Sequence, residues 1–405
     1  QIYYNYFICS MVEVVSPIKA MKTPYYFYDL DLLERTLKIL REEAKNKHVH
    51  YAIKANTDKR ICRMISNYGY GADCVSGNEI LHALRCGFHP SKIVFSGVGK
   101  TDEEILIGLK HNIACFNIES AEEVQVINRL AKKMNREANV AIRVNPNISA
   151  ETHEYITTGT HENKFGISCE HLMGVIQLIE DGKYINLTGL HFHIGSQILN
   201  MDNFKNLTQK VNIILSELYD EGVDIKHINV GGGLGIDYDN PFDGSIPDFK
   251  SYFEVFNNHL NFKLFNELHF ELGRSIVGQC GELHTKVLFV KQGVAKQFAI
   301  VDAGMTDLLR PALYQAQHRI VKKNPSGEEK YRYDIVGPIC ESSDVFRIDY
   351  PLEKLKRGEE LIIKSAGAYG EVMVSEYNLR AKPNVYYREA RSSLEFAIDQ
   401  EYIMN

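Results

Sequence analysis

A lysine stands at the end of a short apolar segment, where a charged side chain is unusual. Residues 49–53 are typical of a buried strand, and Lys54 follows them directly, before Ala55 and Asn56. Burial disfavours the charged ammonium, so a lysine in this position becomes a better nucleophile. A lysine that simply reaches solvent at a strand end is the common alternative, so the prediction of a reactive amine depends on the surrounding residues.

Three consecutive glycines form a second place for chemistry. Gly231, Gly232 and Gly233 follow the apolar segment 227–230, and Arg274 lies one strand later. Glycines leave backbone N–H groups uncovered by side chains, which suits a phosphate, although a triple glycine also occurs in plain turns. With an arginine after the next strand, the pattern favours a phosphate site.

Further polar side chains follow other apolar segments. Asp73 ends one of them, His193 and Ser196 follow another, and Glu271 closes the last. A reactive lysine, a phosphate cradle, an imidazole and a carboxylate together indicate pyridoxal 5'-phosphate (PLP) as cofactor. Lys54 would then bind the cofactor covalently and His193 would lie flat against its ring. Glu271 would accept a hydrogen bond from the ring nitrogen and keep the ring cationic.

Alternating strands and helices must position these residues. Eight apolar or β-branched segments, most separated by stretches with helical periodicity, are residues 49–53, 71–75, 93–96, 114–118, 140–144, 187–194, 227–230 and 268–271. Eight β/α repeats over about 250 residues are typical of a closed (β/α)8 TIM-like barrel, which carries its chemistry at the C-terminal strand ends. An open doubly wound sheet is the alternative, but no G-x-G-x-x-G motif follows the first strand.

The pattern changes after residue 276, where strand-like segments are joined by turns. These segments are residues 277–290, 297–301, 331–336, 360–364 and 385–387. We therefore predict an α/β chain with two domains. Residues 29–276 would form a PLP-binding (β/α)8 barrel, and residues 277–405 would form a mainly β domain that residues 1–28 join.

Composition argues against several other classes of protein. The net charge of −6 and a pI near 6.2 disfavour a nucleic-acid partner, which calls for a basic face. No apolar segment reaches membrane-spanning length. The eight cysteines are scattered, without a C-x-x-C pair or a metal-like cluster, which suits a reducing cytosol. We expect a cytoplasmic protein that binds no metal, nucleic acid or membrane.

Six motifs, in order along the chain, make the sequence recognisable. They are Tyr-Ala-Ile-Lys54-Ala-Asn, His-Phe-His193-Ile-Gly-Ser196-Gln, Gly231-Gly-Gly233, Glu271-Leu-Gly-Arg274, Cys340-Glu341-Ser-Ser-Asp344 and Gly367-Ala-Tyr369-Gly370. Together they resemble the alanine-racemase-like PLP enzymes, which have a barrel and a β domain, and most closely the diaminopimelate decarboxylase branch. The resemblance covers residues 24–383. Leu272 departs from it, because the family usually has proline between the glutamate and the glycine.

The resemblance implies a role for each motif. Lys54 would hold the cofactor and His193 would stack on it. The predicted cofactor-binding residues are Lys54, Asp73, His193, Ser196, Gly231, Gly232, Gly233, Glu271, Gly273, Arg274 and Tyr369. The predicted substrate-binding residues are Arg274, Arg310, Tyr314, Glu341 and Tyr369. Cys340 and Glu341 would come from the other subunit of a homodimer, with Cys340 as a catalytic proton donor.

Two charged side chains favour a substrate with a second amino-acid centre. Arg310 offers a planar pair of donors for a distal carboxylate, and Glu341 offers a negative charge for a distal ammonium. Ornithine and arginine lack the distal carboxylate, and a racemase typically has arginine opposite the ring nitrogen, where this chain has Glu271. The resemblance therefore implies decarboxylation of the D-centre of meso-2,6-diaminopimelate to L-lysine and CO2, the last step of lysine biosynthesis.

Two other functions stay open from the sequence. A sister PLP decarboxylase would act on a basic amino acid or carboxynorspermidine, and Arg310 argues against it. A non-catalytic PLP carrier would usually lack the lysine or the cysteine, and this chain has both Lys54 and Cys340. We interpret His191 as a structural, hydrogen-bonded histidine, and the long polar connection at residues 147–163 as a lid.

Overall fold

The computed structural model describes residues 21–147, 164–242, 246–327 and 329–390. Apart from residue 147, the predicted lid lies outside the described residues. Within the described ranges, no helix is both long and apolar enough to span a membrane.

Eight parallel strands close into a barrel. They are β2 (His48–Ala52), β3 (Gly71–Cys74), β4 (Ile93–Phe95), β5 (Cys115–Ile118), β6 (Ala138–Asn145), β8 (Ile185–His191), β9 (His227–Asn229) and β10 (Glu267–Leu272). The order is β5-β4-β3-β2-β10-β9-β8-β6, and pairing of β5 with β6 completes the ring. A short strand, β7 (Ile167–Ser168), pairs with β6 outside the ring. All eight predicted strands are present, so the barrel is confirmed and the open sheet is excluded.

Helices cover the outside of the barrel. They are α1 (Leu30–Glu43), α2 (Lys59–Asn67), α3 (Gly77–Arg85), α4 (Asp102–His111), α5 (Ala121–Met134), α6 (Cys169–Glu180), α7 (Met201–Asp220) and α8 (Phe249–His259). Most begin at a Ser, Thr, Asn or Asp whose side chain accepts a backbone N–H of the first turn, as Asp29 does for Leu32. The buried stripe of α1, Leu33, Leu37 and Leu40, packs into the core.

A second sheet follows the barrel. Its strands are β11 (Gly281–Gln292), β12 (Gln297–Val301), β13 (Ile320–Lys322), β14 (Lys330–Val336), β15 (Val345–Glu353), β16 (Glu360–Ile363) and β17 (Asn384–Arg388). Strand β1 (Tyr25–Asp29) pairs antiparallel with β11 and parallel with β17, so the residues before the barrel add a strand to this sheet. Two short helices, α9 (Arg274–Val277) and α10 (Arg310–Tyr314), lie next to the barrel end described below. The domain boundary at residue 276 stays a prediction.

The second sheet is hydrogen-bonded to the turn that carries Lys54. The Tyr369 backbone N–H donates to the Ala55 carbonyl at 2.8 Å. The Asn56 amide donates to the Tyr28 hydroxyl and to the Gly367 carbonyl, both at 2.9 Å. We call these three contacts the lysine-turn bridge. Two of them join the turn to residues more than 300 positions later in the chain, and the third joins it to Tyr28, which precedes the barrel.

Candidate active site

A cavity of about 390 Å³ lies at the C-terminal ends of the barrel strands. Eight of the predicted site residues line it: Lys54, His193, Ser196, Gly233, Glu271, Gly273, Arg274 and Tyr369. These residues come from five separate stretches of the chain, and the closure of the barrel brings them to one place. The C-terminal strand ends are where barrel enzymes carry their chemistry.

Lys54 lies in the single turn that follows β2, and its ammonium contacts a buried carboxylate. Its Nζ donates to Asp73 Oδ2 at 2.8 Å, and Ser96 Oγ donates to the other Asp73 oxygen at the same distance. Burial lowers the pKa of Lys54, but Asp73, Tyr369 and Glu271 outweigh it and raise the pKa above its usual value. The net direction of this pKa shift is opposite to the lowering that burial alone would cause.

Asp73 was predicted to bind the cofactor, but the structure places it behind Lys54. Its side chain is fully buried, and Asp73 is not among the residues of the cavity wall. Both of its oxygens are occupied by Lys54 and Ser96. Asp73 therefore orients the lysine in this structure.

Glu271 lies at the end of β10 among donors from three other strands. Its Oε1 accepts from the amides of Asn117 at 3.0 Å and Asn229 at 2.8 Å, and its Oε2 lies 2.9 Å from His191 Nε2. Burial raises the pKa of Glu271, but His191 and Lys54 outweigh it and hold the pKa below its usual value. The group is therefore a carboxylate that can accept a further hydrogen bond inside the cavity.

The two histidines after β8 differ in role. His191 is hydrogen-bonded, as predicted, and it also lines the cavity. His193 lies deep in the protein and is partly accessible from the cavity, and the Gly232 N–H donates to its Nδ1 at 3.3 Å. Burial, followed by Arg143 and Lys54, lowers the pKa of His193 to about 3. A neutral imidazole on the cavity wall suits stacking against a ring.

The triple glycine is required mainly by packing. A Cβ on Gly231 would lie 2.3 Å from the Phe192 carbonyl oxygen, and one on Gly232 would lie 2.0 Å from the Glu271 carbonyl oxygen. These two glycines are buried and are not part of the cavity wall, so their predicted role in binding the cofactor stays a prediction. Gly233, with φ +105°, does line the cavity.

Two arginines share one phenol at the edge of the cavity. Arg274 donates from Nη1 to the Tyr238 hydroxyl at 2.7 Å and from Nη2 to Ser196 Oγ at 3.0 Å. Arg310 donates to the same hydroxyl at 2.8 Å, and its Nη1 lies 2.9 Å from His318 Nε2. Burial raises the pKa of Tyr238, but the two guanidinium groups outweigh it and lower the pKa.

Four predicted substrate-side residues lie outside the cavity wall of this chain. Arg310 is buried beside Tyr238, and Tyr314 is half-buried at the end of α10. Cys340 is exposed, and Glu341 is exposed with Oε1 accepting from the Tyr377 hydroxyl at 2.6 Å. The predicted origin of Cys340 and Glu341 in a second subunit stays a prediction.

Two residues of the cavity wall, Arg143 and Lys100, were not predicted from the sequence as site residues. Arg143 lines the cavity, donates to Glu119 at 2.8 Å and lies over the ring of Phe165. Lys100 also lines it, with Nζ bound to the carbonyls of Gly97 and Asn117. A polar residue at a strand end was visible for Arg143, whereas nothing in the local sequence singles out Lys100.

The residues of the cavity fit PLP. Ser196, the Gly233 backbone and Arg274 form a donor-rich end that suits a phosphate, and Lys54 supplies the amine. Glu271 suits the ring nitrogen. Arg274 Nε is buried and has no hydrogen-bond partner among the described residues, which leaves a donor available to an anion.

Comparisons with known proteins agree with this geometry. The family model described as "Pyridoxal-dependent decarboxylase, pyridoxal binding domain" matches residues 30–278. A diaminopimelate decarboxylase of Bacteroides thetaiotaomicron is 52% identical over 376 residues, which are 92% of this chain and 97% of that protein.

Two solved structures are also similar. The diaminopimelate decarboxylase of Helicobacter pylori complexed with L-lysine has 40% identity and a TM-score of 0.86, and the match covers 91% of this chain and 92% of that chain. The enzyme of Methanocaldococcus jannaschii in co-complex with L-lysine has 36% identity and a TM-score of 0.84, covering 92% and 88% of the two chains.

Proposed function

Since the chain belongs to the pyridoxal-dependent decarboxylases and, within them, to the diaminopimelate decarboxylases, we propose that it converts meso-2,6-diaminopimelate into L-lysine and CO2. The observation that carries the proposal is the side-chain carboxyl group of Glu271, which lies within hydrogen-bond distance of Asn117, Asn229 and His191 in a cavity that also contains Lys54 and Arg274. A ring nitrogen that faces a carboxylate stays protonated, as electron withdrawal during loss of CO2 requires.

PLP supplies an electron sink when it is bound. Lys54 would be its attachment point, and Asp73 accepts a hydrogen bond from the lysine. His193 would stack on the ring, while Ser196, Gly233 and Arg274 would bind the phosphate. In this arrangement, residues 29–276 would hold the cofactor. Residues 277–405 would complete the site through Tyr369, which lies against Arg274.

The substrate end is built around Tyr238. Its hydroxyl oxygen accepts from both Arg274 and Arg310, so a carboxylate oxygen in the same region would meet the same two donors. Arg310 and Tyr314 would bind the distal carboxylate. Glu341 would bind the distal ammonium.

The active site would be shared by two chains of a homodimer. Cys340 and Glu341 are exposed and absent from the cavity wall of their own chain, which is the arrangement that donation to a partner requires. Cys340 would then deliver a proton to the carbon that has lost CO2, and Glu341 would complete the substrate pocket. We place this reaction in the cytoplasm as the last step of lysine synthesis.

The test is release of CO2 and lysine by the purified protein with added PLP. The substrates are meso-diaminopimelate, its L,L isomer, ornithine, arginine and carboxynorspermidine. Lys54→Ala is the blank, and Lys59→Ala, an exposed lysine at the start of α2, is the matched control. The proposal is supported if the native protein and the control turn over the meso isomer and no other substrate, and the blank turns over none. Turnover of carboxynorspermidine or a basic amino acid instead would overturn it, as would PLP binding without any turnover.

A further inference from the structure

Histidines from three strands cluster at the N-terminal end of the barrel, opposite the cavity. His48 on β2 and His269 on β10 are direct partners in the register, and their rings stack with centroids 4.5 Å apart. The rings of His50 and His227 lie 5.2 Å and 4.7 Å from that of His269. Glu267 Oε2 lies 3.1 Å from His269 Nε2 and 3.9 Å from His48 Nε2.

Hydrogen bonds fix which nitrogens of two of these rings carry protons. His50 Nδ1 lies 3.0 Å from the Lys92 carbonyl oxygen, which can only accept, so this nitrogen carries a proton. In a neutral His50, Nε2 is then an acceptor, and His269 Nδ1, 2.9 Å away, must be the donor. In a neutral His269, Nε2 therefore has a lone pair.

The lone pair of His269 Nε2 faces the carboxylate of Glu267. Protonation of His269 would remove this repulsion, but its side chain is only 13% exposed and three other imidazoles surround it. An electron-pair acceptor between the two groups would satisfy both, and a metal ion is such an acceptor.

We propose that His48, Glu267 and His269 form a binding site for one divalent transition-metal ion, of which Zn2+ is the best-matched candidate. Their ligand atoms all lie within 4.8 Å of one another. Ligands at about 2.0–2.1 Å from a tetrahedral ion lie roughly 3.3 Å apart. Glu267 Oε2 and His269 Nε2 already lie 3.1 Å apart, and the exposed side chain of His48 would have to rotate out of its stack on His269 to direct its Nε2 at the ion. Two imidazoles and one carboxylate are a ligand set that zinc accepts.

The surroundings are those of a metal-binding histidine. A ligating imidazole usually donates its second N–H to an acceptor that fixes its tautomer and orientation. His269 does so to His50, which in turn donates to the Lys92 backbone. His48 and Glu267 are about half-exposed, so the ion can enter and can keep a water as its fourth ligand.

The position indicates a structural ion. β2 is the first strand of the barrel along the chain and β10 is the last, so the ion would join the two strands whose pairing links the ends of the β/α series. The cavity lies at the other end of the strands. The metal should therefore change stability and leave catalysis unchanged. His48 lies more than 200 residues before Glu267 and His269, so the proximity of the three side chains was not predictable from the sequence.

The test uses the PLP-loaded protein after removal of metal with a chelator. Zn2+ is titrated in competition with a chromophoric chelator, and the thermal midpoint is measured with and without Zn2+. We expect one ion per chain and a raised midpoint. His48→Ala and Glu267→Gln should each weaken binding at least about tenfold and lose the rise in midpoint. His259→Ala, an exposed histidine at the end of α8, is the matched control. Equal Zn2+ binding by native protein and both site variants would overturn the proposal.

A second group of possible ligands must be separated from this site. Cys62, His82 and Cys86 also have their ligand atoms within 4.8 Å of one another. Cys86→Ser should leave Zn2+ binding intact, and bound Co2+ should show visible bands without thiolate charge transfer. Loss of binding in Cys86→Ser, or a thiolate band, would assign the ion to the cysteines and refute the site at His48.

Discussion

The charge of Glu271 is decided by residues that sequence reasoning could not connect to it. Its own place at the end of an apolar strand was visible, and so was its chemical role. Asn117, His191 and Asn229 keep it ionised, and each lies on a different strand. A polar residue inside an apolar segment indicates that its side chain has a hydrogen-bond partner. Which residue is that partner becomes known only when the barrel closes and brings the strands together.

Neutralising Glu271 should remove most of the activity. In Glu271→Gln an amide replaces the carboxylate, so the ring nitrogen is no longer kept protonated, and we expect kcat to fall by roughly a hundred-fold or more. The measurement is lysine production at saturating substrate. Glu254→Gln, at an exposed glutamate of α8, is the matched control and should keep native kcat. Native kcat in Glu271→Gln would refute the role of the carboxylate.

Tyr238 was not predicted as a site residue from any local sequence pattern. In Tyr238→Phe, Arg274 and Arg310 lose their shared acceptor and are held less firmly for the substrate carboxylate. A hydrogen bond to a charged group contributes about 1.5–3 kcal/mol, so we expect KM to rise by about tenfold or more with little change in kcat. Tyr219→Phe, at an exposed tyrosine of α7, serves as control. An unchanged KM would mean that Tyr238 does not align the arginines.

At the scale of elements, strands that are buried on both faces were predicted more reliably than strands at a sheet edge. The barrel strands are rich in apolar residues because helices cover one face and the barrel interior fills the other, and all eight were found. β13 and β15 were missed. β13 has three residues, and β15 is an edge strand that contains Asp349 and Pro351, which are rare inside strands.

The start of α3 should make stability depend on pH. Glu79 accepts a hydrogen bond from the Val75 N–H at 2.7 Å. Burial raises the pKa of Glu79 to about 7, although this hydrogen bond acts to lower it. The folded protein therefore holds this proton more tightly than the unfolded chain, whose glutamates titrate near 4.5. The resulting stabilisation is complete below about pH 4.5 and is lost as the pH rises through about 7.

Glu79→Gln keeps an oxygen for Val75 and removes the titration. Between about pH 5 and pH 8, we expect the thermal midpoint of the native protein to fall relative to that of Glu79→Gln. Glu103→Gln, at an exposed glutamate in the first turn of α4, should follow the native curve. Parallel curves for native protein and Glu79→Gln would contradict the raised pKa.

At the scale of the whole molecule, the proposed shared site predicts complementation between inactive variants. Lys54→Ala and Cys340→Ala should each be inactive. If the two variants are dissociated, mixed in equal amounts and allowed to reassociate at random, half of the resulting dimers are hybrids. Each hybrid dimer contains one intact site. We therefore expect recovery of about a quarter of the native activity per total protein.

A mixture of Lys54→Ala with Glu271→Gln is the control for this experiment. Both residues line the cavity of one chain, so each hybrid site would carry at least one defect and no activity should return. Absence of recovery in the mixture with Cys340→Ala would place the cysteine in the same chain as the lysine. That outcome would remove the shared active site.

The lysine-turn bridge also limits how the protein can be recombined. Tyr28 precedes the barrel, Asn56 lies within it, and Gly367 and Tyr369 follow it, yet all of them meet around one turn. Gly367 and Tyr369 contribute only backbone atoms, so the β sheet of a relative could supply these two contacts whatever its side chains there. The contact between Asn56 and the Tyr28 hydroxyl depends on both side chains, so a chimera that joins this barrel to the β sheet of a relative would have to keep tyrosine at position 28.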